Sequence, residues 1–266
     1  MASQSRVFAV VNQKGGVGKT TTAVNLAASF AASERPTLLI DLDPQANASS
    51  AFGLAPATPQ VYDALSGGCD LKEVVLPTEL RFLHVVPSGR DLYGAEIELV
   101  AMEARELRLR EVMADLREAY ELILIDCPPS LGLLTINALT AADAVIIPLQ
   151  CEYYALEGLA GLVDTLDAVR REFNPGLELE GIALTMVDLR NNLARQVEQE
   201  VRDHFPGRVF DAVIPRNVRL SEAPSHGKPI LLYDAHSKGA ASYLELARLI
   251  LERVARPVPP LDPPVL

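Results

Sequence analysis

Val7-Phe8-Ala9-Val10-Val11-Asn12-Gln13-Lys14-Gly15-Gly16-Val17-Gly18-Lys19-Thr20-Thr21-Thr22-Ala23-Val24-Asn25-Leu26-Ala27-Ala28 decides the reading of the whole chain. An apolar, partly β-branched run followed by glycines and then by an alanine-rich helix former predicts strand, tight loop and helix. Gly15, Gly16 and Gly18 let the backbone turn with positive φ and bring its N–H groups close to an anion, and the helix N-terminus adds partial positive charge. Together these features make a phosphate cradle. Lys19 is placed to reach β- and γ-phosphates, and the Thr20 hydroxyl to ligate Mg²⁺.

The usual cradle pattern is G-x-x-x-x-G-K-[ST]; here Gln13 takes the first position and a second lysine, Lys14, precedes the glycines. Lys14-Gly15-Gly16-Val17-Gly18-Lys19-Thr20-Thr21 resembles the deviant Walker A box of the ParA/MinD class of P-loop ATPases, where the extra lysine is the signature lysine. The resemblance implies a three-layer α/β P-loop NTPase fold with a mostly parallel central sheet and helices on both faces. It implies ATP and Mg²⁺ as cofactors, bound by residues 14 to 21, Val17 and Thr21 included. It also implies an ATP-bound homodimer in which Lys14 crosses to the partner chain's phosphates.

Composition sets bounds around this motif. A chain of 266 residues can bury roughly 75% of its unfolded surface, so it needs no covalent staple. Cys69, Cys127 and Cys151 are scattered without metal-ligand spacing, consistent with a reducing cytoplasm. The apolar run after Arg6 is too short for a signal peptide, no other stretch is long enough to span a bilayer, and a soluble protein is expected. A net charge of −11 argues against a broadly basic nucleic-acid binder but leaves room for a local patch, since fields are screened beyond about 8–10 Å.

Two further apolar runs end in acids. Thr37-Leu38-Leu39-Ile40-Asp41-Leu42-Asp43-Pro44-Gln45 reads as a buried strand whose carboxylates fall where parallel sheets place their ligands. Asp41 is expected to close the strand and cap the following helix, and Asp43 to organise hydrolysis, as its similarity to the family's next motif implies. Leu122-Ile123-Leu124-Ile125-Asp126-Cys127-Pro128-Pro129-Ser130 resembles a Walker B box. In that role Asp126, like Asp43, holds Mg²⁺ through water, with Asp126 facing Thr20. Cys127 has no recognisable base and reads as a core thiol.

The remainder alternates. A loop over 53–59, a short helix over Val61–Leu65 and two short strands around Pro77 carry no visible chemistry. Ile97, Val100, Leu107, Leu109, Val112, Met113 and Leu116 recur at helical spacing and predict one half-buried helix over 96–120. Helices over 131–142, 153–172, 194–204 and 239–254 alternate with strands over 144–149, 179–187 and 209–214, and the terminal helix is expected to bury Leu244, Ala247, Leu251 and Val254. The whole reads as one domain over 1–256, followed by a Pro-rich extended tail over 257–266.

Pro215-Arg216-Asn217-Val218-Arg219-Leu220-Ser221-Glu222-Ala223-Pro224 is closer to ParA partition ATPases than to MinD. The resemblance implies adenine contacts from Pro215 and Asn217 and non-specific DNA phosphate contacts from Arg190 and Arg219. Residues 188–228 hold seven Lys or Arg and six Asp or Glu, the only section that is not strongly acidic. Solvated arginines remain the competing reading. The expected protein is a slow, partner-stimulated ATPase that binds non-specific double-stranded DNA, associates with the nucleoid and drives partition with a ParB-type centromere-binding protein. The alternatives are a MinD-like membrane-surface ATPase, which needs a basic amphipathic terminal helix where this chain has prolines, and a small-molecule ligase or a nitrogenase-type iron protein on the same fold. Operator-specific repression is not expected without a helix-turn-helix extension before the first strand.

Overall fold

Alternate residues of the buried central strands enter two different cores, so the sheet has two apolar faces and both are covered. The computed structural model describes residues 5–55, 59–188 and 190–255. The expected tail over 257–266 lies outside them. Seven strands, β1 (Arg6–Val10), β2 (Thr37–Asp41), β3 (Leu76–Pro77), β4 (Leu83–Val86), β5 (Leu122–Asp126), β6 (Ala144–Gln150) and β7 (Glu178–Thr185), form one sheet in the order β3-β4-β2-β5-β1-β6-β7. All neighbours are parallel except β3 with β4.

The helices, in chain order, are α1 (Lys19–Ala32), α2 (Asn47–Ser50), α3 (Val61–Ser66), α4 (Leu92–Glu98), α5 (Arg108–Val112) and α6 (Leu116–Ala119). They continue with α7 (Leu133–Ala141), α8 (Ala155–Glu172), α9 (Asn192–His204), α10 (Val218–Glu222), α11 (Ile230–Tyr233) and α12 (Lys238–Ala255). Val7, Ala9, Leu38, Ile40, Ile123 and Ile125 enter the core beneath α3 to α9, whereas Phe8, Val10, Leu39, Leu122 and Leu124 pack under α1 and α10 to α12. With β1, β2 and β5 parallel at the centre, their carboxyl ends share one edge, and the loops they feed must meet there.

The sequence reading needs correction at four places. The helix expected over 96–120 is instead α4, a 3₁₀ turn (Leu99–Ala101), α5 and α6. Met102 is extended, Ala104 takes φ 50°, and Asn137 on α7 accepts from the Leu109 N–H at 3.0 Å and donates to the Arg105 carbonyl at 2.8 Å. Side-chain bonds thus replace a continuous helical ladder, and Ile97 and Val100 lie exposed. The first of the two strands expected over 71–87 is mostly a 3₁₀ turn, Leu71–Val74, with only Leu76–Pro77 in the sheet.

Residues 209–214 follow β7 through two isolated parallel bridges, Ile182 to Val209 and Val187 to Pro215, and bend away at Asp211 between them. On α12 the buried face is Tyr243, Leu246, Ala247 and Ile250, while Leu244 and Val254 are exposed. Tyr243 sets that rotation, because its hydroxyl meets the Thr22 hydroxyl of α1 at 3.2 Å.

Candidate active site

The loop between β1 and α1 has the shape its glycines predict. Gly16 and Gly18 take φ of 76° and 87°, and no side chain caps α1, which leaves the first-turn N–H groups open to an anion. Asn12 fixes the loop from below: its carbonyl oxygen accepts from the Lys14 N–H at 3.0 Å, and its amide donates to the Pro148 carbonyl at 2.7 Å. From β7, the Thr185 hydroxyl donates to the Val17 carbonyl at 2.8 Å.

A cleft of about 420 Å³ opens above the loop, lined by Gly15, Gly16, Gly18, Lys19, Thr20 and Thr21 together with Asp43, Gln45, Asn47, Pro129 and Met186. Val17 itself is buried beneath it. The two lysines part company here. Lys19 is buried, donates to the Lys14 carbonyl at 3.1 Å, and has its pKa lowered by burial against the opposing pull of Asp126 and Asp43. Lys14 is half-exposed, and its ammonium pairs with Glu152 in the loop between β6 and α8.

The three acids are equally distinct. Asp41 is fully buried and accepts from the Ser49 N–H and hydroxyl, both at 2.7 Å, and from the Asp43 N–H at 3.2 Å, so it ties β2 to α2. Burial still pushes its pKa up to about 6. Asp43 lines the cleft; its carboxylate accepts from the Gln45 N–H at 2.9 Å and its carbonyl from the Ser88 hydroxyl at 2.8 Å. Asp126 is fully buried with no hydrogen-bond partner on either carboxylate oxygen. Burial and then Asp41 drive its pKa well up, while the Thr20 hydroxyl pulls back without reaching hydrogen-bonding geometry.

Two unpartnered Asp126 carboxyl oxygens close to the Thr20 hydroxyl are an oxygen set that a hydrated Mg²⁺ would complete. Among the described residues no group of three or more His, Cys, Asp and Glu forms a protein-only metal cage. Cys127 is fully buried with its thiol pKa pushed up by burial, which suits a core residue.

A second hollow of about 430 Å³ adjoins the cleft at Gly18, Thr21 and Met186, and Pro215 and Asn217 both line it. The Asn217 oxygen is used to cap α10, accepting from the Arg219 N–H at 2.8 Å. Arg190 and Arg219 lie outside both hollows. Arg190 is 91% exposed and forks onto Asp188, whose pKa it pulls down to about 2; Arg219 pairs with Glu222 at 2.9 Å and approaches Asp234 at 3.5 Å.

Comparison with known proteins agrees with this arrangement. A model described as an AAA domain matches residues 5–179. The chromosome partitioning protein ParA of Myxococcus xanthus is 57% identical over 95% of this chain and 90% of its own length, and the sporulation initiation inhibitor protein Soj of Bacillus subtilis 53% identical over 91% and 97%. The chain belongs to the ParA/Soj family of chromosome-partitioning ATPases. Among solved structures, cobyrinic acid a,c-diamide synthase from Mycobacterium smegmatis with bound ADP and magnesium superposes with a TM-score of 0.84 at 36% identity, covering 97% of this chain and 100% of that one.

Within this ParA/Soj-family site, several residues escaped the sequence reading. Asn12, Gln45, Asn47, Ser88, Thr185 and Met186 border or brace the cleft. Asn12 and Gln45 sat inside recognised motifs without being assigned a role. Met186, with φ 51°, carried no turn signal, and Ser88 reaches Asp43 only through the pairing of β4 with β2.

Proposed function

We propose that the chain is a switch driven by Mg-ATP: two copies close over bound nucleotide, the dimer holds DNA without sequence preference, and hydrolysis releases it, so that a chromosome or plasmid is partitioned with a ParB-type partner. The observation that carries this reading is the division between the two lysines, Lys19 buried in its own cradle and Lys14 on the outer rim with its charge directed away to Glu152. A second cation serves nothing inside one cradle; it fits the terminal phosphate of a facing copy. ATP then favours the dimer only while its γ-phosphate is present.

Residues 14 to 21 would bind the triphosphate, and Thr20, Asp126 and Asp43 would hold Mg²⁺, the two acids through water. When bound, the ion withdraws charge from the phosphate oxygens. Asp43 orients the attacking water rather than removing its proton, since an ordinary aspartate is a weak base near neutral pH. Lys19 and the partner copy's Lys14 offset charge on the transferring group. Pro215 and Asn217 face the base, and Arg190 and Arg219 exchange their carboxylates for DNA phosphates. No described helix is long and apolar enough to cross a membrane, and nucleoid association follows from DNA binding alone.

Sedimentation with and without Mg-ATP and random-sequence duplex tests the scheme. Asp43→Ala is expected to give a long-lived ATP dimer with turnover lost, and Lys14→Ala to remain monomeric while still binding ATP. A wild-type chain that stays monomeric in saturating Mg-ATP with hydrolysis blocked would overturn it. Arg219→Glu should weaken DNA binding and flatten its salt dependence by about one ion.

A further inference from the structure

Tyr93, Ile97 and Val100 follow one another at i, i+4 and i+7 along α4 and the 3₁₀ turn after it, and they are 56%, 78% and 56% exposed. Leu92, Ala95 and Leu99 of the same segment are buried, so this stretch presents apolar residues on two sides rather than one. One exposed apolar residue means little; three at helical spacing make a stripe. Asp91, Glu96, Glu98 and Glu103 belong to the same stretch, and none of the four forms an ion pair among the described residues; the nearby Arg105 reaches the Val100 carbonyl at 2.9 Å but pairs with Glu106, which leaves the stretch net acidic. The Tyr62 hydroxyl donates to Glu98 at 2.9 Å and fixes one edge.

We propose that this face docks a basic amphipathic segment of the ParB-type partner, with apolar side chains laid on the Tyr93, Ile97 and Val100 stripe and Lys or Arg over the flanking carboxylates. The inference rests on the switch reading above and gives that partner a surface. A second copy of this chain is disfavoured, because a symmetric contact sets the same unneutralised acids against each other; DNA is repelled for the same reason.

The face is linked to the cleft by two chains of contacts. Asp91 accepts from the Gln60 amide at 2.9 Å, Gln60 packs against Gly89, and the adjacent Ser88 holds the Asp43 carbonyl. Glu96 lies so close to Gly132 that an added Cβ there would collide with its carboxylate, and the preceding loop carries Pro129 into the cleft. A ligand seated on α4 therefore bears on both the Asp43 loop and the loop after β5, and docking is coupled to turnover.

The test uses the full chain with Mg-ATP and an 18-residue synthetic peptide bearing Leu on one helical face and Lys and Arg on the other, against a scrambled isomer without an apolar face. Anisotropy should favour the amphipathic peptide at least ten-fold, and that peptide should raise turnover. Ile97→Ser with Val100→Ser, and separately Glu98→Lys with Glu103→Lys, should each weaken binding ten-fold or more and abolish the stimulation, with basal turnover unchanged; the charge pair should also flatten the salt dependence. Equal binding by the scrambled peptide, undiminished binding by either variant, or loss of self-association in the serine variant would overturn the assignment. Basal turnover and ATP-dependent sedimentation are read on the same samples. If both hold while the peptide ignores the face, only the docking fails; if both are absent, the switch fails, and the variants still decide whether the face binds.

Discussion

Asp41 and Asp126 end adjacent strands and are register partners across β2 and β5, yet they have opposite fates. Both are completely buried. The chain after Asp41 turns through Ala46, at φ 54°, into α2 and returns Ser49 to the carboxylate with two donors. The chain after Asp126 runs Cys127-Pro128-Pro129, and a proline has no N–H to offer. Position and residue type are the same; the donors that follow separate an acid that braces the fold from one left open for a ligand.

The largest expected effect comes from Asp126→Asn. Turnover should fall by about 10²–10³, the scale of losing one well-placed electrostatic contact, while the nucleotide-free protein should melt at a higher temperature because an unpaired buried carboxylate is gone. Stripping Mg²⁺ with EDTA should cost the wild type more of its gain in stability from ATP than it costs the variant, which keeps Thr20 and Asp43. A variant that melts lower without nucleotide would mean that Asp126 has a structural partner, and the contrast with Asp41 would break.

A pH series sharpens the same contrast. Asp41 is raised from 3.8 to about 6, so its contribution to stability is fully present below about pH 3.8 and is lost as pH rises through about 6. That displacement is on the order of 3 kcal/mol. Urea midpoints of the nucleotide-free chain should therefore fall relative to Asp41→Asn between pH 4 and 6.5. Asp126, raised well above the ordinary carboxylate value by burial and then by Asp41, should add a decline of the same sign. A wild type that gained on Asp41→Asn across that interval would contradict the sign for Asp41.

Much of this was legible because the chemistry is local. Strand, loop and helix around Gly15 to Thr21, the acids closing β2 and β5, and the core role of Cys127 follow from short stretches whose neighbours along the chain are also their neighbours in space. What escaped depends on distant partners. Asn137 breaks the helix expected over 96–120 from another element, Tyr243 rotates α12 by reaching Thr22, and residues 209–214 bend away from β7 at Asp211. Periodicity placed Ile97 and Val100 in the core because a hydrophobic pattern records apolar faces without saying what covers them.

Ser88 is the smallest test and the most selective. Its N–H donates to the Ser49 hydroxyl at 3.0 Å and its own hydroxyl to the Asp43 carbonyl at 2.8 Å, so it joins the braced acid to the one that lines the cleft. Ser88→Ala keeps the backbone link and removes only the second bond, a loss of about 1 kcal/mol. If Asp43 orients water, a small displacement of its loop should lower kcat several-fold while KM for ATP stays constant, because the phosphate cradle is built from other residues. Ser88→Thr, which retains the hydroxyl, should restore the rate. A lower melting temperature with unchanged kcat would make Ser88 a brace of the fold alone, and would mean that the Asp41 network stops short of the chemistry.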